Sequence, residues 1–173
     1  MKKILLYLSL LLLVTGCQNN THQPEQEKYN SYLSYYQSIL DSDIEMSSSQ
    51  CYDIALVVNK LDEEQYRYDV IIDNPRVAMY DIKALAVVND LTIAIDKENM
   101  MPSIGILDDS HYNMIPNQID NEKNFVPGLD LSLLSSSSSL RISVMIEWKD
   151  SSEINYVREY INLYASYKDS PEE

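Results

Sequence analysis

Histidine and acid supply the first chemistry to look for in this chain. His111 is one of two histidines and stands in a run dense in oxygen donors: Asp108, Asp109, Asn113 and, further on, Asp120, with Tyr112 and Phe125 as apolar neighbours. An imidazole with two or more carboxylates can hold a divalent metal and activate water, and an imidazole beside a hydroxyl can serve nucleophilic catalysis. The spacing argues against both. A single histidine among acids lacks the fixed pair that a helix presents at i and i+4, and no Gly-x-Ser-x-Gly elbow occurs among the serines. Three glycines in all leave little for a phosphate-cradling loop. Asp41, Asp43 and Glu45 alternate as the acids of a calcium loop do, but Met46 stands where glycine must turn the chain and Tyr52 where a bidentate glutamate must close it. No catalytic residue, metal or cofactor site is therefore assigned. Asp108, Asp109, His111, Tyr112, Asn113 and Phe125 are kept as a candidate binding loop.

That loop is held by what lies on either side of it. Residues 108–127 carry no periodicity, and an unstructured stretch of this length is uncommon inside a domain unless it binds something or moves. Around it the pattern has period two. Tyr52, Ile54, Leu56 and Val58 alternate with Asp53, Ala55, Val57 and Asn59, and Tyr66, Tyr68, Val70 and Ile72 follow after a turn at 61–64; the two runs predict a hairpin. Further strands are predicted at 82–88, 92–95, 103–107, 128–134, 140–149 and 154–164. The serine run 135–139 reads as a hairpin tip pairing 128–134 with 140–149. In the clearest alternation Ile142, Val144, Ile146 and Trp148 share one face against Arg141, Ser143, Glu147 and Lys149, and such a face must meet a second layer. The expectation over 50–165 is a mainly β, two-layer antiparallel sandwich of immunoglobulin-like type, with Trp148 in its core but without the Cys-Trp-Cys framework of antibody domains.

Ahead of the strands, Tyr29, Tyr32, Leu33, Tyr36 and Leu40 recur at three- and four-residue steps, with Tyr35 and Ile39 widening the stripe. This predicts an amphipathic helix over 29–48, ended by the turn formers that begin at Asp41. The stripe is expected to pack on its own domain. Residues 18–28 contain no aliphatic or aromatic side chain and read as a tether with a reach of roughly 17 Å as random coil. The tail 166–173 is polar and expected to fray.

The first seventeen residues have a different logic. Met1-Lys2-Lys3 is cationic, the run from Ile4 to Val14 is almost unbroken apolar sequence, and Thr15-Gly16 precedes Cys17. This is the layout of a secretory signal, and its apolar run is too short for a hydrocarbon core that needs about twenty residues. Val14-Thr15-Gly16-Cys17 resembles the lipobox of bacterial lipoproteins. The resemblance implies a signal peptide at 1–16, a diacylglycerol thioether on Cys17 as the one attached group, a lipidated tether at 17–28, and a place outside the cytoplasm on the cell membrane. Cys51 is then left without an intrachain partner and is expected to be a small packed residue.

Charge narrows the partners. Cleavage before Cys17 removes Lys2 and Lys3 and takes the formal charge from −14 to −16. Nucleic acid is excluded as a ligand, because phosphate contacts need clustered Lys and Arg, and an anionic lipid surface would repel the body of the protein. The acyl chains must do the holding. Two functions follow as expectations. One is a non-enzymatic binding or structural module meeting a protein or envelope polymer, for which fourteen tyrosines give amphipathic contact area. The other is a small envelope-acting hydrolase or metal-dependent accessory enzyme, which requires His111 and at least two of Asp108, Asp109 and Asp120 to converge.

Overall fold

A computed structural model describes residues 23–89 and 95–168. Helix α1 (Gln23–Leu40) precedes seven strands: β1 (Asp53–Lys60), β2 (Tyr66–Asp73), β3 (Tyr80–Val88), β4 (Ser103–Ile104), β5 (Gly128–Ser135), β6 (Ser139–Lys149) and β7 (Tyr156–Ser166). Two antiparallel sheets result, ordered β1-β2-β5 and β4-β3-β6-β7. Of the strand predicted at 92–95, residues 92–94 lie outside the described residues and Ile95 is irregular.

The alternation read from the sequence sets the register. Leu56 sits opposite Val70, and Val70 opposite Leu131; one step along, Val58, Tyr68 and Leu133 align, and one step back, Ile54, Ile72 and Leu129. In the second sheet Ala86, Val144 and Ile161 align, as do Ala84 and Ile146. These inner faces close on one another to form the main core, with Trp148 2% exposed and Tyr52 set edge-on to its ring at 5.8 Å.

The serine run behaves differently from its prediction. Strand β5 pairs with β2, not β6, and residues 136–138 carry the chain from one sheet to the other. Spacing could not separate the two outcomes, since a hairpin and an arch between layers both need a few small polar residues between alternating runs. The arch is tied down: Tyr68 donates its hydroxyl to the Ser137 carbonyl at 2.8 Å and the Tyr167 amide donates to that of Ser138 at 2.8 Å. The tail is correspondingly shorter than expected, because Ser166 ends β7 and the Tyr167 ring packs on Tyr66. Strand β7 also begins at Tyr156, two residues later than predicted, after a turn knit by the Asp150 and Glu153 backbones.

Two boundaries of the helix are corrected. It begins at Gln23 instead of Tyr29, so residues 23–28 are helix and not tether. Gln, Glu and Lys are good helix formers even with nothing to bury, Pro24 falls in the first turn where a missing N–H costs nothing, and Glu25 complements the positive helix end. It stops at Leu40 instead of residue 48. Segment 41–52 then runs back along β7, where Asn162 donates its side-chain amide to the Ile44 carbonyl at 2.9 Å and its backbone amide to Met46 at 2.8 Å.

Helix α1 packs on the outer face of the four-stranded sheet and gives β3 and β6 two buried faces. Tyr32, Ile39, Leu85, Val87, Ile106 and Met145 form this second core. Leu40, counted in the stripe, is 55% exposed. Within the contact lies a carboxylate. Glu147 is 6% exposed and accepts from the Tyr35 hydroxyl at 2.7 Å and from Arg158, Nε at 2.8 Å, with the Lys83 ammonium 3.7 Å away. Lys83 in turn donates to the Tyr35 oxygen at 3.1 Å. Burial, and then the bond to Glu147, push the Tyr35 hydroxyl above the usual phenol value, which keeps it a donor.

Removing one member of a buried charged group costs about 3–5 kcal/mol. Here Lys83 and Arg158 are about a third exposed, so solvent takes up part of that loss. Glu147→Ala is expected to lower unfolding free energy in urea by about 2 kcal/mol and to speed amide exchange across 28–40. Tyr35→Phe should cost about 1 kcal/mol.

Candidate functional site

The strand that leads toward the candidate loop is bulged. Pairing between β3 and β6 shifts between Tyr80 and Lys83, and within the shift Asp81 adopts a φ of 48°, a left-handed conformation that aspartate tolerates better than most residues. A bulge re-aims a side chain. The Asp81 amide donates to Asn113 Oδ1 at 2.9 Å, its carboxylate accepts from the Lys149 ammonium, and His111 Nδ1 lies 2.7 Å from its other oxygen. The Lys149 bond is the first cause of a lowered Asp81 pKa, opposed by partial burial and aided by His111. Lys149 is raised by the same contact.

The stretch 108–127 is not the unstructured loop its sequence suggested. Isolated bridges join Met79 with Met114, Asn113 with Phe125 and Asp120 with Phe125, and a 3-10 turn covers Asn121–Lys123. Met114, fully buried, anchors the excursion, but such single bridges have no sequence period. Its entry needs glycine: Gly105 has φ 67°, and a Cβ there would collide with the Ile82 carbonyl.

The six loop residues divide by role. Asp108, Asp109 and His111 line a shallow cavity of about 280 Å³ together with Asp81, Lys83, Gly105 and Tyr156. Asn113, Tyr112 and Phe125 brace the excursion: Asn113 through its bond to Asp81, Tyr112 by accepting the Ile82 amide at 2.8 Å, and Phe125 by exchanging backbone bonds with Asp120 and setting its ring on Tyr80. Asp120 does not line the cavity; it caps its own turn and pairs with Lys123 at 3.3 Å. Asp109 is drawn to Lys28 of α1 at 2.7 Å, and Asp108 caps the amide of Ser110 at 2.9 Å. Among the described residues no group of three His, Cys, Asp or Glu side chains is arranged to hold a metal ion.

What the cavity offers chemically is an imidazole oriented by a carboxylate, a pairing that can position a proton at the ring's other nitrogen. Sequence reasoning found His111 but missed Asp81 and Lys149. Both sit in strand sequence as ordinary outward polar residues, and the bulge that joins them has no signature beyond an aspartate at a strand start. Cys51 is half-buried, and burial with nearby Glu159 pushes its thiol up, as suits a packed residue.

Comparison with known proteins decides the other end of the chain. Residues 1–18 match the family model of the prokaryotic membrane lipoprotein lipid attachment site. The protein is lipid-anchored outside the cytoplasm. Cys17 falls within the match and outside the described residues. No curated protein and no solved structure matches the chain. The lipoprotein is thus a β-sandwich held to its membrane by a covalent diacylglycerol group.

The lowered Asp81 pKa has a defined sign. A carboxylate depressed in the folded state adds stability above its unfolded value, near 4, and loses it as pH falls through the folded value. Asn keeps the left-handed backbone but not the charge. The fall in melting temperature between pH 6 and pH 2 is therefore expected to be smaller for Asp81→Asn than for the parent protein.

Proposed function

We propose that this lipoprotein is a non-enzymatic binding or structural module, an immunoglobulin-like sandwich displayed at the membrane surface to meet a protein or envelope polymer. One observation carries the reading: the side chains best suited to chemistry are spent on fastening the fold. His111 and Lys149 close on the bulge carboxylate, Asp109 holds the start of α1, and Asp120 caps a turn. Immunoglobulin-like topology is supported by the division into three and four strands, with β2 to β3, β4 to β5 and β5 to β6 crossing between sheets. Trp148 lies on β6 and no disulfide framework accompanies it, so the likeness is one of arrangement.

The hydrolase reading has one observation in its favour, the carboxylate-oriented His111 beside Asp108 and Asp109 in a single cavity. Both are tested together. On intact cells, crosslinking of the anchored protein is expected to yield discrete adducts that persist in His111→Ala. Cys17→Ser should release the protein from the membrane fraction and abolish the adducts. Turnover of envelope material by the purified protein, lost in His111→Ala, would establish the enzyme instead.

A further inference from the structure

The anchor enters the domain through α1, and the direction of α1 is fixed by what it touches. Lys28 pairs with Asp109, Tyr35 with Lys83 and Glu147, and Ile39 packs with Val87. The helix therefore runs alongside β3 in the same direction, its first residue at the end where β3 begins. That end also carries the β2–β3 connection (74–79), the excursion 105–127 and the β6–β7 turn (150–155). The opposite end carries the β1–β2 turn (61–65), the serine arch and the end of β7.

Chain length then limits how the sandwich can sit. From Lys28 back to Gln23 is about 7.5 Å of helix, and the six peptide steps from Gln23 to Cys17 span at most about 22 Å in any conformation. The excursion end is thus within about 30 Å of the lipidated sulfur. Strands β6 and β7 are 11 residues long, about 36 Å at 3.3 Å per residue. To lay the opposite end on the bilayer, the chain from Gln23 would have to pass the length of the sandwich, farther than it reaches. At the near end two isoleucines stand out, Ile119 at 67% exposure in the excursion and Ile154 at 77% in the β6–β7 turn. The flanks offer a polar helix back with Glu25 and Glu27, and a small-sheet face where exposed Asp130 stands with Val57, at 39%, and Leu134, at 58%, both less exposed than the two isoleucines.

We infer that the excursion end stands over the bilayer as the membrane-facing surface, with Ile119 and Ile154 as its nearest apolar contacts, and that the β1–β2 turn end is presented outward. Asp120, Glu122, Asp150 and Glu153 flank the two isoleucines in sequence, so the approach is to zwitterionic lipid and is weakened by anionic lipid.

The test uses the full lipidated protein in a Cys51→Ser background, taking the fraction that floats with phosphatidylcholine vesicles containing a headgroup spin label. A fluorophore is placed on Ile119→Cys, Ile154→Cys, the flank positions Ser34→Cys and Val57→Cys, or the far-end position Glu63→Cys, all exposed. Quenching is expected to be severalfold stronger at 119 and 154 than at 63, with 34 and 57 between, and to fall at 119 and 154 when a third of the lipid is made anionic. Quenching at 63 equal to that at 119 and 154 would overturn the orientation. A flank position quenched more than both would show the domain lying on its side, and it too would overturn it.

Discussion

The arrangement depends on a carboxylate that is out of water. Glu147 lies on the outer face of the four-stranded sheet, a face that would be solvated in a bare sandwich, and α1 covers it. Burying an ionised acid costs several kcal/mol unless charge and hydrogen bonds replace the lost water. The replacement comes from three elements at once: Tyr35 of α1, Lys83 of β3 and Arg158 of β7. Such a group favours one placement of the helix. A shift of α1 by one turn, about 5.4 Å, would leave the acid without its hydroxyl partner and would part Tyr32 from the Met101 backbone. The charged clasp sets the position, and the apolar second core supplies the adhesion.

The same device recurs elsewhere, and it changes how the tyrosines should be understood. Asp69, 5% exposed on the outer face of the small sheet, accepts from Ser132 at 2.7 Å and Arg67 at 2.9 Å. Tyr52, wholly buried, gives its hydroxyl to Glu159, whose position opposite Ile146 places it on the inner face of β7 at 2.8 Å from that oxygen. Burial first, and then this bond, push the Tyr52 hydroxyl far above the phenol range. Tyr32 is raised to about 12 by burial while it bonds the backbone of Met101. Tyr68 closes the serine arch. A ring that fills space between layers and ends in a hydroxyl can bury an acid or a loop carbonyl without leaving either unpaired. Among the described residues no buried side-chain nitrogen or oxygen lacks a partner. These tyrosines serve packing, so the high tyrosine content adds less to an argument for an external contact surface than it did from composition.

What the sequence made legible was whatever repeats. Period two gave the strands around the core and their inward faces, because one side of each must leave water; Ile142 to Trp148 showed it most plainly. Period 3.6 gave the middle of α1. Partnering was not legible. The run 135–139 is equally suited to a hairpin and to an arch, and only the pairing of β5 with β2 chooses between them. Helix ends were misplaced for two reasons: at the start the apolar stripe from Tyr29 was taken as the extent of the helix, and at the end the helix was carried past Leu40, the last residue of the stripe, into the turn formers. Propensity carries α1 backward past the last contact to Gln23, and the turn formers after Leu40 stop it early. In the candidate site, His111 could be found by residue type, while Asp81 becomes its partner only through a bulge that no local pattern announces.

The early start of α1 alters the physics of the anchor. Eleven flexible residues between lipid and domain would let the sandwich tumble within a shell of roughly 17 Å, so lipidation would fix location and nothing more. With residues 23–28 helical and Lys28 paired with Asp109, only residues 18–22 lie between Cys17 and the helix. Tyr35 ties the helix to Glu147 of β6, and Glu147 is tied in turn to Lys83 of β3 and Arg158 of β7. The covalent lipid holds the polypeptide, and it is the buried carboxylate beneath the helix that ties the helix to one place on the sheet.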